Sequence, residues 1–598
     1  MGTDLVTTPA ADPVVGAKRA LHHAPALVVA ALLLPLALVR WRLASTLNIN
    51  WDEFYFLSRI HTWVRGELTE KLLTFHVHLF SWIGRVSAQE IDQVLALREV
   101  MLAFGLLAAA STAVIGWRLM GSVAGALFAV FAGQSLSLVL NHGASARYDP
   151  IIVALFLAAA ALLSADSTRR RRTRVIAAAF LTAVALLISI KAAFYLPSLL
   201  GLLGCRVWAE QNRRGAVVDV LVFAGSLGLV AAALFAGHTA TLATATAVAA
   251  AAPEGPRAGG IGSIFAKMLV NQDFAQPGAL LQTLRWDSTF WLLVLLGFGL
   301  VCARIGARRD RVQQFQLLLF LLPLSAIAVY RNAFPYFYVT VVPSAALLAG
   351  VVVARLDLAL RGRPLLAALL ILMVASPLVR SAWRFHLFNS EDQVGAQRQV
   401  IAAVHTIFPS PVPYVDRCAM VATFPKVGPF MSTWALEDYR QRGRPIMVEL
   451  LTQEKPQFLL QNTNSLDLGP TPEKSRRGLG FLPRDFATLQ ANFIPHWGPI
   501  WVAGKTVEIS GADVSVVVDV VIAGRYLLEA AGSVSIDGQV VSPGTILDLH
   551  QGVHTLSAPE AGTISLRIAS AQPPPTTPPP KARIFVGFDF RTTPKRSH

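Results

Sequence analysis

Between residues 24 and 380 the chain consists of apolar runs joined by short loops. That alternation constrains its fold more than any other feature. A bilayer core offers no water to free backbone N–H and C=O groups, so such runs are expected as membrane-spanning helices of ~20 residues. About eleven spans are expected, near residues 24–44, 95–117, 120–140, 150–165, 175–190, 192–208, 217–237, 287–303, 313–330, 337–354 and 365–380. Composition agrees: 54% of residues are hydrophobic and only 15% charged, where soluble proteins carry roughly 25% charged residues. A soluble enzyme, a coiled coil and a disordered tail are excluded. The first run is not expected to be a cleaved signal peptide, because Arg40, Trp41 and Arg42 follow it in place of a small-residue cleavage site. Three cysteines, Cys205, Cys302 and Cys418, are too few for a disulfide framework or a Cys-based zinc site.

Charge then sets an orientation. Lys and Arg gather in alternate loops: Lys18 and Arg19, Arg118, Arg169–Arg172 with Arg174, Arg206 to Arg214, Arg304 to Arg311, and Arg355 to Arg363. The opposite short turns hold only Arg147, Lys191 and Arg331. The richer side is expected to be cytoplasmic. That puts the N-terminus inside and everything past residue 385 outside, as in a multi-pass protein of a bacterial inner membrane with a periplasmic C-terminal region. The net charge of +16 is explained by these loops. Arg169–Arg172 has no interleaved aromatics, so no nucleic-acid partner is expected.

The expected division is a cytoplasmic tail (1–23), a transmembrane domain (24–384), an exported mixed α/β domain (385–499), an exported β-sandwich (500–570), and a Pro-rich linker and tail (571–598). The outer loop 45–94 carries Trp51, Trp63 and Trp82 among alternating apolar and charged residues, which fits two amphipathic helices in the interface plane. The outer loop 238–286 holds the Gly/Pro-rich stretch Pro253–Gly262, expected as a lid. In the C-terminal region Gln393–Phe408 has helical spacing, while Ala419–Phe424 and Gln457–Gln461 fit buried strands. Period-two segments follow at Thr506–Ile509, Val514–Ile522, Tyr526–Ala530, Val534–Val541 and Ile564–Ile568, with Asp537-Gly538 as a hairpin turn.

The residues with chemistry lie on the outer side. Asp52 and Glu53 stand a few residues past the first span, and carboxylates at membrane depth are expensive and usually functional. The short outer turns each add one basic group: Asn141-His142-Gly143-Ala144-Ser145-Ala146-Arg147-Tyr148-Asp149-Pro150, then Lys191, then Tyr330-Arg331-Asn332-Ala333-Phe334-Pro335-Tyr336. Arg147, Lys191 and Arg331 together suit a phosphate; as separate residues they would be snorkelling anchors. His142, Tyr148 and Tyr336 of these turns are candidate substrate contacts, as are His76 and His78. The two histidines would share a face on a strand and diverge on a helix. No third ligand is spaced to complete a metal site.

This arrangement resembles the GT-C membrane glycosyltransferases, especially protein O-mannosyltransferases, lipid A aminoarabinose transferases and arabinosyltransferases. In them an acidic pair opens the first extracytoplasmic loop, here Asp52-Glu53, and a basic or His residue with Leu-Phe-x-Trp follows, here His76-Val77-His78-Leu79-Phe80-Ser81-Trp82. A late outer turn with a basic residue, aromatics and proline matches Arg331–Pro343. The usual prolines of the first loop are missing, and no Trp-Trp-Asp motif is present. The resemblance implies a polytopic α-helical GT-C-like membrane domain with an exported, carbohydrate-binding-like C-terminal region. It implies transfer of a sugar from a polyprenyl-phosphate donor to a hydroxyl of an envelope glycan, lipid or protein, with inversion. Asp52 would be the base, Glu53 would orient acceptor or water, and Arg147, Lys191 and Arg331 would hold the donor phosphate among membrane lipids. No cofactor is fixed by it, and a divalent cation stays open. Trp501 and Tyr526 are candidate glycan-stacking rings, or core aromatics. Two other classes compete: a flippase or transporter of a lipid-linked sugar, which would show matching broken spans, and a polysaccharide-binding envelope scaffold.

Overall fold

The computed structural model describes residues 22–165, 170–209, 212–243, 277–305, 311–469, 480–511 and 514–586. Lys18, Arg19, Arg169, Arg308, Arg309 and the expected lid Pro253–Gly262 lie outside them. Every expected apolar run is helical. Fewer are long enough to span. Among the described residues seven helices are long and apolar enough to cross a membrane, or eight if the bent pair Gly278–Trp286 and Ser288–Arg304 is one span. The difference from about eleven has physical causes. Val123–Gln134 has 12 residues and Tyr148–Leu163 has 16, or about 18 and 24 Å of helix at 1.5 Å per residue, short of a ~30 Å core. Arg171–Ile188 carries Arg171, Arg172 and Arg174 in its first turn. The chain is a multi-pass membrane protein.

The helix Tyr338–Ala359 is the hub, with 94% of its apolar window buried. Small residues admit its neighbours, the usual route to close packing where lipid removes a hydrophobic drive. A Cβ on Gly125 would lie 2.5 Å from the Ala354 Cβ, and one on Gly350 would lie 2.5 Å from the Gly125 carbonyl oxygen. Two backbones therefore cross where neither residue can carry a side chain.

The loop 45–94 forms one amphipathic helix, Trp51–Val64, then a single turn at Val77–Phe80 and a 3₁₀ turn at Ile83–Arg85. The second expected helix is thus broken into turns. The next long helix, Glu90–Met120, ends at Gly121 in the left-handed conformation (φ 65°), a stop that glycine adopts without steric cost.

The C-terminal region opens with the helix Gly395–Ile407. Its strands are β1 (Tyr414–Val415), β2 (Phe458–Leu460), β3 (Phe493–Trp497), β4 (Ile500–Ile509), β5 (Ser515–Val520), β6 (Gly524–Glu529), β7 (Val534–Ile536), β8 (Gln539–Val541), β9 (Ile546–Leu549), β10 (Gly552–Ser557) and β11 (Gly562–Ile568). One sheet runs β1-β2-β4-β11-β6-β9 with β3 also on β4, and a second runs β5-β10-β7-β8. The first sheet crosses the expected 499/500 boundary, because β4 pairs with β2 and β3 on one side and β11 on the other. Asp537-Gly538 makes the β7–β8 turn with both residues at positive φ (51° and 84°). Ala419–Phe424 is not a strand: the backbone N–H groups of Cys418, Ala419 and Met420 turn onto the Asp416 carboxylate.

This region docks beside the first span. Gln397 accepts the Ile49 N–H at 2.9 Å and donates to the Ile49 carbonyl at 2.7 Å. Asn48 donates to the carbonyls of Gln393 and Ile584, both at 3.1 Å. Phe430 stacks on Tyr55 at 4.3 Å.

Candidate active site

The local sequence around Asn50 explains how the acidic pair is presented. Asn50 is an N-cap: its side chain accepts the Asp52 N–H at 2.8 Å, and Glu53 Oε1 accepts the Asn50 N–H at 3.0 Å, a reciprocal cap that starts the helix at Trp51. One turn places Asp52 and Glu53 on different faces. Asp52 keeps 24% of its side chain exposed, whereas Glu53 keeps 1%.

Glu53 faces Arg98, in the first third of Glu90–Met120. Arg98 Nε and Nη2 donate to the two carboxylate oxygens at 2.8 and 2.7 Å. Its other donations reach the carbonyls of Ala44, Leu47 and Asn48 at 2.8–3.0 Å, so one guanidinium also caps the first helix, whose last carbonyls have no partner within it. Glu53 Oε2 further accepts the Ala146 N–H at 2.7 Å. Burial pushes Glu53 toward protonation, but the Arg98 charge and these hydrogen bonds outweigh it and hold the carboxyl below its ordinary 4.5. The expectation that Glu53 orients acceptor or water is therefore corrected: its oxygens are fully engaged inside the protein, and it ties the Asp52 helix to the turn that carries Arg147.

Arg147 follows Ala146, and its Nη1 lies 2.7 Å from Asp52 Oδ2. Its Nε is 3.4 Å from Asp149 Oδ2, and Asp149 Oδ1 accepts from Lys191 Nζ at 2.7 Å. The Arg147 guanidinium stacks 3.5 Å over the Tyr336 ring, and Lys191 Nζ is 5.1 Å from the same ring. Burial alone would make Arg147 easier to deprotonate, but Asp52 and Asp149 more than compensate and keep it charged. The ion pairs do not align every donor: Arg147 Nε and Nη1 are buried without an aligned hydrogen bond. Asp52, Arg147, Lys191 and Tyr336 thus meet as the sequence places them, with Asp149 an addition. Asp149 stands in the same turn, and a carboxylate opening an apolar run was the signal available for it. Arg331 is exposed on the turn that precedes Tyr336.

The histidines behave differently from one another. His76 is fully buried, stacks on Phe56 at 3.9 Å, and its Nε2 lies 3.2 Å from the Phe56 carbonyl. Burial drives it down to about 3, so it is a neutral packing residue rather than a substrate contact. Tyr148 packs edge-on to His76 and Phe56. His78 turns away to His238 at 2.8 Å. His142 is buried near Tyr336, and burial with the Arg147 charge lowers it to about 3. Tyr526 is corrected to a core residue: it is 3% exposed and its hydroxyl donates to the Ile522 carbonyl at 2.6 Å. Trp501 is half-buried on β4 between β2 and β3.

Among the described residues no three His, Cys, Asp or Glu side chains group to hold a metal ion. An apolar groove of about 540 Å³ lined by Gly201, Cys205, Trp208, Arg311 and Phe315 shares no residue with the Asp52 cluster.

No protein-family model and no curated protein matches the chain. Among solved structures it is similar to ArnT from Cupriavidus metallidurans bound to undecaprenyl phosphate, at 16% identity, covering 74% of this chain and 95% of that one, with a TM-score of 0.49. It is also similar to the arabinosyltransferase EmbB from Mycobacterium smegmatis, at 10% identity, covering 96% of this chain and 66% of that one, with a TM-score of 0.37. At those values function has to be argued from this chain's own residues.

The Glu53–Arg98 pair yields a stability prediction. Glu53→Ala leaves Arg98 buried without a counter-charge and should cost about 3–5 kcal/mol, read as a lowered thermal midpoint of the purified protein. Because the Glu53 carboxyl is held below 4.5, its contribution is complete above that pH and fades as pH falls through the lowered value. Glu53→Gln should remove that acid limb from the stability profile.

Proposed function

We propose that the protein is a membrane glycosyltransferase that moves a sugar from a polyprenyl-phosphate carrier to an acceptor hydroxyl, with Asp52 as the general base. One observation carries the reading: a partly exposed carboxylate, Asp52, meets a buried arginine, Arg147, at 2.7 Å. An arginine beside a base suits a phosphate ester.

The acceptor oxygen bonds to the sugar's anomeric carbon, and its proton passes to Asp52. The bond from that carbon to the phosphate oxygen breaks, its electron pair leaving with the polyprenyl phosphate. The base loses a negative charge as the phosphate gains one. Arg147 can therefore pass from one anion to the other without leaving its seat on Tyr336, and so stabilise the developing charge. Lys191 holds Asp149 against Arg147 from behind, and Arg331 is the exposed cation of the phosphate site. Direct attack inverts the anomeric centre. Among the described residues no second carboxylate is in place as a nucleophile, because Asp149 is engaged by Lys191 and Glu53 by Arg98. The acceptor class is an envelope glycan, lipid or protein.

Removing a positioned base typically costs 10²- to 10⁴-fold. Asp52→Asn should lose turnover by about that factor and still retain polyprenyl phosphate, read by transfer kinetics beside native mass spectrometry. Undiminished turnover would remove Asp52 from the reaction. The bias of basic residues further supports a cytoplasmic N-terminus and an exported C-terminal region in a bacterial inner membrane. In intact cells an impermeant thiol reagent should label Ser533→Cys above the parent protein and leave Gly362→Cys unlabelled; the opposite pattern reverses the topology.

A further inference from the structure

The C-terminal region lays a cation, Arg417, on Trp51, the residue before Asp52. Asp416, fully buried, accepts the backbone N–H groups of Cys418, Ala419 and Met420 at 2.7–3.1 Å and the Asn462 amide at 2.9 Å. Asn462 in turn accepts the Arg417 N–H at 3.0 Å, and the Arg417 carbonyl accepts from Met431 at 3.0 Å. Ala419 is held at φ 60°, a conformation alanine pays to adopt. The backbone of Arg417 is thus fixed on both sides.

Its side chain leaves the C-terminal region and lies over Trp51, with the guanidinium carbon 3.9 Å from the ring centroid. Trp51 opens the helix immediately before Asp52. The Arg417 Nε is buried without a hydrogen-bond acceptor, and among the described residues the guanidinium makes no ion pair. Stacking on Trp51 positions the group but takes none of its N–H donors. Burial works against its charge, and Asp52 is among the acidic groups that support it. Among the described residues the network behind Asp52 is balanced: Arg147 and Lys191 face Asp52 and Asp149, two cations against two anions.

We propose that Arg417 is a phosphate-binding residue of the active site, which meets an anionic phosphate oxygen of the lipid-linked donor together with Arg147. The C-terminal region then completes the donor site. This rests on the glycosyltransferase reading for the identity of the donor, while the anion site rests on Arg417 itself. The same phosphate chemistry is offered by phospholipid headgroups, so the test separates the two sources.

Full-length protein in nanodiscs is probed with undecaprenyl phosphate, and separately with phosphatidylglycerol, by native mass spectrometry. Loss of a charge-assisted contact in a desolvated site should weaken undecaprenyl phosphate binding about 10- to 100-fold in Arg417→Ala. Donor KM should rise with acceptor KM unchanged, the ligand-free thermal midpoint should stay in place, and Arg417→Lys should recover part of the loss. Phosphatidylglycerol binding should be unaltered. Should Arg417→Ala fold poorly, Arg417→Gln, which keeps most of the stem over Trp51, is read in the same way. Wild-type affinity, equal loss for both lipids, or a lysine variant no better than alanine with a lowered midpoint would each overturn the assignment. Asp52→Asn in the same assay keeps the two readings apart. Inactive Asp52→Asn with normal binding by Arg417→Ala removes the phosphate role alone. Active Asp52→Asn with weak binding by Arg417→Ala removes the base alone.

Discussion

The buried contact between Glu53 and Arg98 is the interaction on which the site depends. A carboxylate and a guanidinium removed from water are costly, and their attraction repays that cost only when the remaining donors and acceptors are satisfied. Here they are. Arg98 closes the carbonyl end of the first helix, and Glu53 closes the amide end of the next and takes the Ala146 N–H. Three segments are fixed at one point: the end of the first span, the start of the Asp52 helix just after it, and the distant turn bearing Arg147. Asp52 and Arg147 meet because Asp52 precedes Glu53 and Arg147 follows Ala146, whose N–H donates to Glu53.

Around that anchor the charges are arranged in alternation: Asp52, Arg147, Asp149, Lys191. The Tyr336 ring lies under the Arg147 guanidinium and near the Lys191 ammonium, which supports both charges away from water. Balanced in this way, the cluster can sit at the edge of the membrane domain without a large net charge. A further anion needs a further cation, and the C-terminal region carries one on a backbone made rigid by Asp416 and Asn462. The same region is fastened to Asn48 and Ile49, next to the anchor, so its register over Asp52 follows from the contact that sets Asp52 itself.

Much of this was legible from the sequence, and the exceptions have physical causes. Asp52, Arg147, Lys191 and Tyr336 could be grouped because polar residues in turns between apolar runs stand out against lipid. Glu53 could not be separated from Asp52, since their roles differ only through the cap at Asn50, which turns one in and the other out. Arg98 was hidden within a run read as a span, although an arginine inside such a run is a signal in its own right. His76 and Tyr526 looked like ligands because side-chain type does not report burial. In the C-terminal region Asp537-Gly538 announced its hairpin, since few residues accept two successive positive φ angles. The apolar stretch Ala419–Phe424 misled, because Asp416 draws its amides into a turn. Strands β9 and β10 were missed as strands. Nothing in the sequence pointed to Arg417, which reaches the site only through tertiary docking.

The most direct test of the account is a structure of the full-length protein with a polyprenyl phosphate bound. The phosphate should lie within about 3 Å of an Arg147 nitrogen, on the Tyr336 side of Asp52, with the Asp52 carboxylate open toward the incoming acceptor. A phosphate seated away from Asp52, for example in the groove bounded by Trp208 and Phe315, would contradict it.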